Sequence, residues 1–170
     1  MIIRQEKSVM RSICSACEDD SVEILSLYRD MYHGPAGWNE KYPNEEFISF
    51  DISRDAIFVM KEDGRIIGTI SIDEDKIVDE LDCWDKDLKP WAEIARICVS
   101  EDMQGKGIAS EMINYVILHL KSQKYKSIHL LVRDNHESAI RLYSKLGFVI
   151  KGPCAYLGHD YFCMEMDISM

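Results

Sequence analysis

The chain has 170 residues, of which 46% are hydrophobic and 29% charged, a balance typical of a globular domain rather than a disordered segment. Its formal charge of −10 would repel nucleic acid phosphates, so we expect no nucleic acid partner. No run approaches the roughly 18 consecutive apolar residues of a membrane span, and Met1–Val9 lacks the apolar run of a signal peptide, so we expect a cytoplasmic protein without membrane association.

The first half of the chain predicts two helices and a β-hairpin behind a short first strand. Apolar residues recur at helical spacing after Asp20, and Gly34-Pro35-Ala36-Gly37 ends that helix. The turn Glu62-Asp63-Gly64 joins two apolar runs and so predicts a hairpin. In chain order, the predicted elements are a strand at Met10–Cys14, helices at Ser21–Met31 and Asn44–Ser53, and strands at Ala56–Met60 and Arg65–Ile72.

The second half predicts alternating strands and helices after an acidic segment, Asp73–Pro90, that we expect to be mostly loop. Gly147 follows the last helix at the usual position of a helix-ending glycine. These patterns indicate one domain built on a mixed α/β sheet. The predicted strands are Trp91–Val99, Ser127–Val132, Phe148–Ile150 and Tyr161–Ile168, and the predicted helices are Gly107–Gln123 and Glu137–Leu146.

A candidate phosphate site lies where the strand Trp91–Val99 is followed by the next helix. Gly105 and Gly107 precede that helix, and without Cβ atoms they would let ligand oxygens approach the backbone N–H groups. The first N–H groups of a helix have no internal partner and lie at the positive end of its dipole. The run Gln104–Ala109 is neither a Walker loop nor a dinucleotide fingerprint, so its spacing alone fits either an anion site or a plain helix start.

The six cysteines do not form a metal-binding or disulfide pattern. Only Cys14-Ser15-Ala16-Cys17 has the spacing of a metal or redox motif, and no second Cys or His pair completes a zinc site. We therefore expect reduced thiols and no metal.

The segment after the strand Trp91–Val99 resembles the acyl-CoA-binding motif of the GNAT superfamily of N-acyltransferases, Arg/Gln-x-x-Gly-x-Gly/Ala. The resemblance implies a twisted mixed, mostly antiparallel α/β sheet of six to seven strands flanked by about four helices. It begins near Met10, so Met1–Val9 is expected to be an N-terminal extension and residues 10–170 a single N-acetyltransferase domain. The matching runs are Gln104-x-x-Gly107-x-Ala109, Ile13-x-x-Ala16-x-x-x-Asp20-x-x-x-Ile24, Gly64–Ile72 and Asn135-x-x-x-Ala139-x-x-x-Tyr143-x-x-x-Gly147-Phe148.

The same resemblance implies acetyl-CoA as co-substrate. Backbone groups of Ile97 and Val99 would bind the pantetheine arm as an added strand, which an exposed strand edge allows. The amides from Gln104 to Ser110 would hold the pyrophosphate, and Asn135 with the helix after it would contact the pantetheine or adenosine portion. The predicted cofactor-binding residues are Ile97, Cys98, Val99, Gln104, Gly105, Lys106, Gly107, Ile108, Ala109, Ser110, Asn135 and Ala139.

Acyl transfer to an amine needs a base and a proton donor for the leaving thiolate. Tyr143 matches the family's general-acid Tyr, although its helical spacing also fits an aromatic core residue. Glu93 interrupts an apolar strand where family members often hold a Glu that acts through water, but it also fits a solvent-facing strand position. Cys98 lies beside the cofactor strand and could carry an acyl group, although a strand Cys is more often a small core residue.

The sequence contains no motif that identifies the acceptor amine. Its determinants are expected in 34–44 and 73–90, where Trp38, Tyr42 and Trp84 would form an aromatic wall for an amine. Trp38 and Tyr42 equally fit residues that anchor a loop to the core. Glu40 and Asp82 are further carboxylates in these loops. We expect a small-molecule or peptide amine acceptor and a monomer or homodimer. An acyl-CoA-binding module without turnover and a nucleotide-binding protein are the alternatives.

Overall fold

Seven strands form one mixed sheet in the computed structural model, which describes residues 9–170. The strand order is β1-β2-β3-β4-β5-β7-β6, and every neighbouring pair is antiparallel except β4 and β5. This arrangement confirms the predicted sheet type and strand number. The strands are β1 (Arg11–Ser15), β2 (Ile57–Glu62), β3 (Arg65–Asp73), β4 (Trp91–Val99), β5 (Ser127–Arg133), β6 (Val149–Tyr156) and β7 (His159–Asp167).

Helices cover both faces of the sheet. Against one face, the apolar side of the long helix, including Met112 and Val116, packs with Ile70 and Ile128 in the largest buried cluster. Against the other face, Tyr28 of the first helix lies in a second cluster with strand residues of β2. The helices are α1 (Ser21–Asp30), α2 (Glu45–Ser53), α3 (Lys76–Asp79), α4 (Ile108–Ser122) and α5 (Glu137–Leu146), and none of these is long and apolar enough to span a membrane.

Two predicted boundaries need correction. The strand expected at Phe148–Ile150 continues to Tyr156, because Pro153 lies on the edge strand β6 and still pairs with Phe162 of β7. An edge strand tolerates proline because one side of its backbone needs no partner. The acidic segment expected to be mostly loop contains the one-turn helix α3, where the Asp75 side chain accepts hydrogen bonds from the backbone N–H groups of Ile77 and Val78. Met1–Ser8, most of the expected extension, lie outside the described residues.

Candidate active site

The strands β4 and β5 are paired at only one end, and this opens a gap in the sheet. Their parallel register contains three pairs, Trp91 with Ser127, Ala92 with Ile128, and Glu93 with His129. Beyond Glu93, the side of β4 that faces β5 has no strand partner among residues 9–170, while its other side stays paired with β3. The backbone of residues 94–99 therefore presents a free edge to the gap, and Ile97 and Val99 lie on it.

A bulge in β4 changes the direction of this free edge. The register between β3 and β4 shifts between Thr69 and Ser71, and Arg96 has the left-handed φ of 51°. A non-glycine residue in this conformation is strained by about 1 kcal/mol or more. The Thr69 hydroxyl donates to the Arg96 carbonyl at 3.2 Å, which helps to hold the bulge.

The Arg96 side chain stabilises the bulge through a buried ion-pair network. Its Nε and Nη2 atoms each lie 2.9 Å from a carboxylate oxygen of Asp51 in α2, and Nη1 lies 2.7 Å from Asp73 at the end of β3. The guanidinium and the Asp51 carboxylate are fully buried. Asp51 also accepts a hydrogen bond from Ser71 at 2.7 Å, so three elements are joined beneath the gap. The sequence prediction did not include Arg96, Asp51 or this network.

Glu93 is buried at the closed end of the gap, with only 6% of its surface exposed. This excludes the solvent-facing alternative for Glu93. Burial, followed by the nearby charges of Asp73, Asp75 and Asp79, raises the pKa of Glu93 to about 9. A carboxyl group in this environment holds a proton at neutral pH and releases it only when a nearby positive charge compensates the negative form.

Tyr143 in α5 lines the same cleft as Glu93. Its ring is half-buried and packs edge-on against Phe148, with 5.9 Å between the ring centroids. Burial raises the pKa of Tyr143 to about 12, so its hydroxyl is protonated and is a hydrogen-bond donor at neutral pH.

The predicted phosphate loop lies beyond the open end of β4. Gly105 and Gly107 have φ values of 72° and 81°, and a Cβ atom at either position would point into open space. Gly107 caps α4, and no side chain caps the N–H groups of Ile108, Ala109 and Ser110 in its first turn. Lys106 and Gln104 are exposed here, and Gln104 donates to the Val99 carbonyl at 3.1 Å. This backbone has the geometry of an anion site.

The remaining predicted cofactor residues occupy different environments. Asn135 is exposed in the turn between β5 and α5, and Ala139 is half-buried on α5. The thiol of Cys98 is buried away from the gap in the cluster around Tyr28, and burial raises its pKa, so it remains a protonated core thiol. The acyl-carrier alternative for Cys98 has no support in this geometry.

The cleft beside Glu93 has a volume of about 510 Å³. Trp38 and Tyr42 line it, and both also pack in the core cluster that contains Tyr28 of α1. They therefore form part of the pocket wall and also anchor their loop to the core. Trp84 was wrongly assigned to the pocket wall. It is 3% exposed, donates to the Val78 carbonyl at 2.7 Å and stacks on His129, because the segment after α3 folds inward.

Other candidate groups lie apart from this cleft. Glu40 and Asp82 are exposed and do not line it. Within residues 9–170, no group of three or more His, Cys, Asp or Glu side chains is arranged to hold a metal ion. All six cysteines are free thiols.

Comparison with known sequences adds an independent observation. The model of the acetyltransferase (GNAT) family matches residues 21–148. MJ1207, an uncharacterized N-acetyltransferase of Methanocaldococcus jannaschii, is 28% identical over 152 residues, and the match covers 83% of this chain and 63% of that protein. The spermine/spermidine N(1)-acetyltransferase of Bacillus subtilis is 33% identical over 88 residues, or 51% of this chain and 57% of that protein. The chain thus spans about three fifths of the length of these relatives.

Solved structures share the fold along nearly the whole chain. An N-acetyltransferase from Staphylococcus aureus Mu50 superposes with a TM-score of 0.76 at 22% identity, covering 94% of this chain and 99% of that one. The yncA protein of Salmonella typhimurium, solved with its cofactor acetyl-CoA, superposes with a TM-score of 0.75 at 18% identity and covers 95% of each chain. At these sequence identities, the similarity to the solved structures shows a shared fold and nothing more.

Proposed function

This chain belongs to the acetyltransferase (GNAT) family, and from that premise we propose that it transfers the acetyl group of acetyl-CoA to a primary amine. The observation that carries the proposal is the juxtaposition of Glu93 and Tyr143 in one cleft, beside the free edge of β4. The acceptor would be an amine of a small molecule or a peptide, and it would attack the thioester directly while both substrates are bound.

The free edge of β4 and the glycine loop would bind acetyl-CoA. Backbone groups of Ile97 and Val99 would bond the pantetheine arm as an additional strand. The amides from Gln104 to Ser110 would hold the pyrophosphate at the positive end of α4, where the peptide dipoles favour anions. A backbone N–H near Val99 would donate to the thioester oxygen as negative charge develops there.

Glu93 would act as the general base through a water molecule. An amine with a pKa of about 10.4 is almost entirely an ammonium ion at neutral pH, so one proton must leave before or during attack. Transfer to a carboxylate with an ordinary pKa of 4.5 is uphill by about 8 kcal/mol, whereas transfer to one with a pKa of about 9 is uphill by about 2 kcal/mol. Glu93 holds a proton in the free protein at neutral pH, so it can act as a base only after the positive charge of a bound ammonium ion has displaced that proton. In its carboxylate form, a pKa above that of an ordinary carboxyl group suits it for taking a proton from the ammonium ion.

Tyr143 would act as the proton donor to the leaving thiolate. Departure of CoA leaves a thiolate, whose conjugate thiol has a pKa of about 8.5. The Tyr143 hydroxyl, with a pKa of about 12, would donate a hydrogen bond to this sulfur and pass its proton to it, while the second proton that the acceptor nitrogen loses on forming the amide restores the hydroxyl.

The charges beside Glu93 favour a cationic acceptor. Asp73, Glu74 and Asp75 line the cleft next to Glu93, and an ammonium ion would be attracted to this group. The polyamine named for the Bacillus subtilis relative has this chemistry, which makes spermidine the first acceptor to test. Lys41 and Arg133 also line the cleft, so a peptide amine with a nearby carboxylate is the other acceptor class to include.

A turnover assay with a panel of amines tests the proposal. The protein is incubated with acetyl-CoA and with polyamines, amino acids or peptides, and release of the CoA thiol is followed. We expect release that depends on the amine and an acetylated product of the expected mass. Tight calorimetric binding of CoA with no thiol release on any amine would instead show a binding module. A melting temperature that shifts with ATP but not with CoA would show a nucleotide-binding protein.

A further inference from the structure

Four titratable side chains form a row across one face of the sheet. Asp73 pairs with Glu93, Glu93 with His129, and His129 with Glu165, along the strands β3, β4, β5 and β7. Residues paired across neighbouring strands project to the same face of a sheet. Glu93 and His129 form the last pair before β4 and β5 diverge, so they lie side by side where the gap closes; Glu93 lines the cleft and His129 is buried beside it.

Glu93 and His129 share a buried environment in which their polar atoms are unpaired. Among the described residues, Oε2 of Glu93 and both ring nitrogens of His129 have no hydrogen-bond partner, and the His129 side chain is fully buried. Glu165, the next residue in the row, differs because its carboxylate accepts from the backbone N–H of Asp85 and from Ser127. Buried polar groups are rarely left without a partner, so neighbouring orphans are expected to share a water molecule.

Two tryptophan rings fix the plane of the His129 ring, and the Asp79 side chain lies next to one of its nitrogens. Trp84 stacks on it with centroids 4.3 Å apart and an interplanar angle of 8°, and Trp91 contacts it edge-on. Its Nε2 atom lies 3.2 Å from Oδ1 of Asp79, although without the alignment of a hydrogen bond. Burial lowers the pKa of His129 to about 4, so the ring is neutral at pH 7. A carboxylate beside Nε2 favours the tautomer with hydrogen on Nε2, which leaves Nδ1 as an acceptor.

Several other charges face this pair, and they bear on any pH dependence. Those around Glu93 come from β3, the segment that includes α3, and β4 itself. Those around His129 come from α3 and β7. Around Glu93 they are Asp73, Asp75, Asp79 and Arg96, together with the Tyr42 and Tyr156 hydroxyls. Around His129 they are Asp79 and Glu165, and Lys151 forms an ion pair with Glu165.

We infer that His129 is a positioning residue for Glu93, with Asp79 fixing its tautomer; this inference rests on the base role proposed for Glu93. A water molecule donates one hydrogen to Nδ1 of His129 and the other to Oε2 of Glu93, which leaves its lone pair facing the acceptor ammonium. Binding of the ammonium ion releases the proton that Glu93 holds in the free protein, so Glu93 is then a carboxylate. One proton passes from the ammonium nitrogen to the water while the water passes one to this carboxylate. His129 stays neutral, and no other bond forms or breaks.

A double-mutant cycle between the two residues tests this inference. His129→Phe keeps an aromatic ring for Trp84 to stack on but removes Nδ1, whereas His129→Asn keeps an acceptor, Oδ1, close to the position of Nδ1. In the wild-type background we expect His129→Phe to lower kcat about 10- to 100-fold, the cost of a misplaced reacting group, with the KM for acetyl-CoA unchanged. His129→Asn should recover part of that loss. In a Glu93→Gln background, His129→Phe should have little further effect, because the water has no base to serve.

Each outcome of the cycle decides a different point. Equal losses of kcat from His129→Phe in both backgrounds, or no loss in either, would overturn the positioning role while leaving the proposed function intact. A Glu93→Gln variant with wild-type turnover would refute the base role itself, and the inference with it. If His129→Phe does not fold, the cycle is run with His129→Gln, whose longer side chain places its amide near the position of Nε2 and not of Nδ1, and additive losses would again overturn the inference.

Discussion

Asp73 and Glu93 face each other across the β3–β4 pairing, yet their pKa values move in opposite directions. Burial by itself raises the pKa of Asp73, but its hydrogen bond and ion pair with Arg96 outweigh burial and hold the pKa below its usual value. Glu93 has no such partner, and burial together with the charge on Asp73 raises its pKa. One ionised and one protonated carboxyl group thus lie side by side in the free protein, and the protonated one lines the cleft, where a bound ammonium ion would displace its proton and make it the candidate base.

The pH dependence of stability should reveal the protonated state of Glu93. Its pKa is about 4.5 in the unfolded chain and about 9 in the folded one, so the folded protein retains a proton that the unfolded chain releases. The stability from protonated Glu93 is complete below pH 4.5 and is lost as the pH rises towards 9. Glu93→Gln does not titrate, so its unfolding free energy relative to wild type should increase by about 3 kcal/mol between pH 4.5 and pH 7.

Urea unfolding at the two pH values measures this difference. Glu101→Gln, at an exposed position, is the matched control and should show no such change with pH. A Glu93→Gln difference that is the same at both pH values would mean that Glu93 titrates as an ordinary surface carboxyl group.

Removal of the Arg96 guanidinium should destabilise the fold strongly. Arg96→Met leaves the Asp73 carboxylate without its ion-pair partner and the buried Asp51 carboxylate with Arg54 alone, and breaking a buried ion pair in this way costs about 3–5 kcal/mol. Arg65→Met is the control, because Arg65 and Asp102 form an ion pair that is open to solvent, and we expect a much smaller change. Denaturant midpoints of both variants check the prediction, and equal losses would contradict the structural importance of the buried network.

A substitution in the glycine loop should weaken CoA binding, whereas the same substitution at a similar glycine elsewhere should not. Gly107→Ala and Gly64→Ala both place a Cβ on a residue with positive φ, 81° and 85°, where it meets no protein atom. Each should therefore lose a similar stability, about 1 kcal/mol. Only Gly107→Ala should weaken CoA binding in calorimetry, because its Cβ occupies space assigned to the pyrophosphate. Equal CoA affinity of the two variants would exclude the loop as the phosphate site.

The carboxylates beside Glu93 should affect the affinity for polyamines. Glu74 lines the cleft and is exposed at its mouth, so Glu74→Gln should raise the KM for spermidine about two- to fivefold, the usual range for a solvent-exposed charge interaction. Glu80→Gln, exposed in the same segment but outside the cleft, should leave this KM unchanged. Identical kinetics of the two variants would indicate that the acceptor does not lie against this wall.

The regular elements were predictable because their signals are local. The strand Trp91–Val99 and the helix Glu137–Leu146 were expected with the bounds that the structure has, since apolar periodicity and the following glycine mark them. The continuation of β6 past Gly152-Pro153 was missed because this pair is usually a strand breaker, and only its edge position makes it acceptable.

The electrostatics of the site could not be predicted in the same way. Glu93 was expected from its place in an apolar strand, but its burial could not be predicted, because its surroundings include residues far away in the chain, such as Tyr42 and Tyr156. Arg96 and His129 carried a weaker version of the same signal, a polar residue between apolar neighbours in a strand. Their partners, Asp51 and Asp79, lie 45 and 50 positions earlier in the printed sequence, and only the fold brings them together.

The rate of CoA thiol release on the best acceptor of the panel, compared between wild type and Glu93→Gln, tests the account most directly. Loss of a general base usually lowers turnover about 10²- to 10⁴-fold. We predict a loss in this range for Glu93→Gln, a smaller loss for Tyr143→Phe and none for the exposed control Tyr115→Phe, with CoA affinity unchanged in all three. Turnover by Glu93→Gln at the wild-type rate would contradict the assignment of this cleft as the site of acetyl transfer through Glu93.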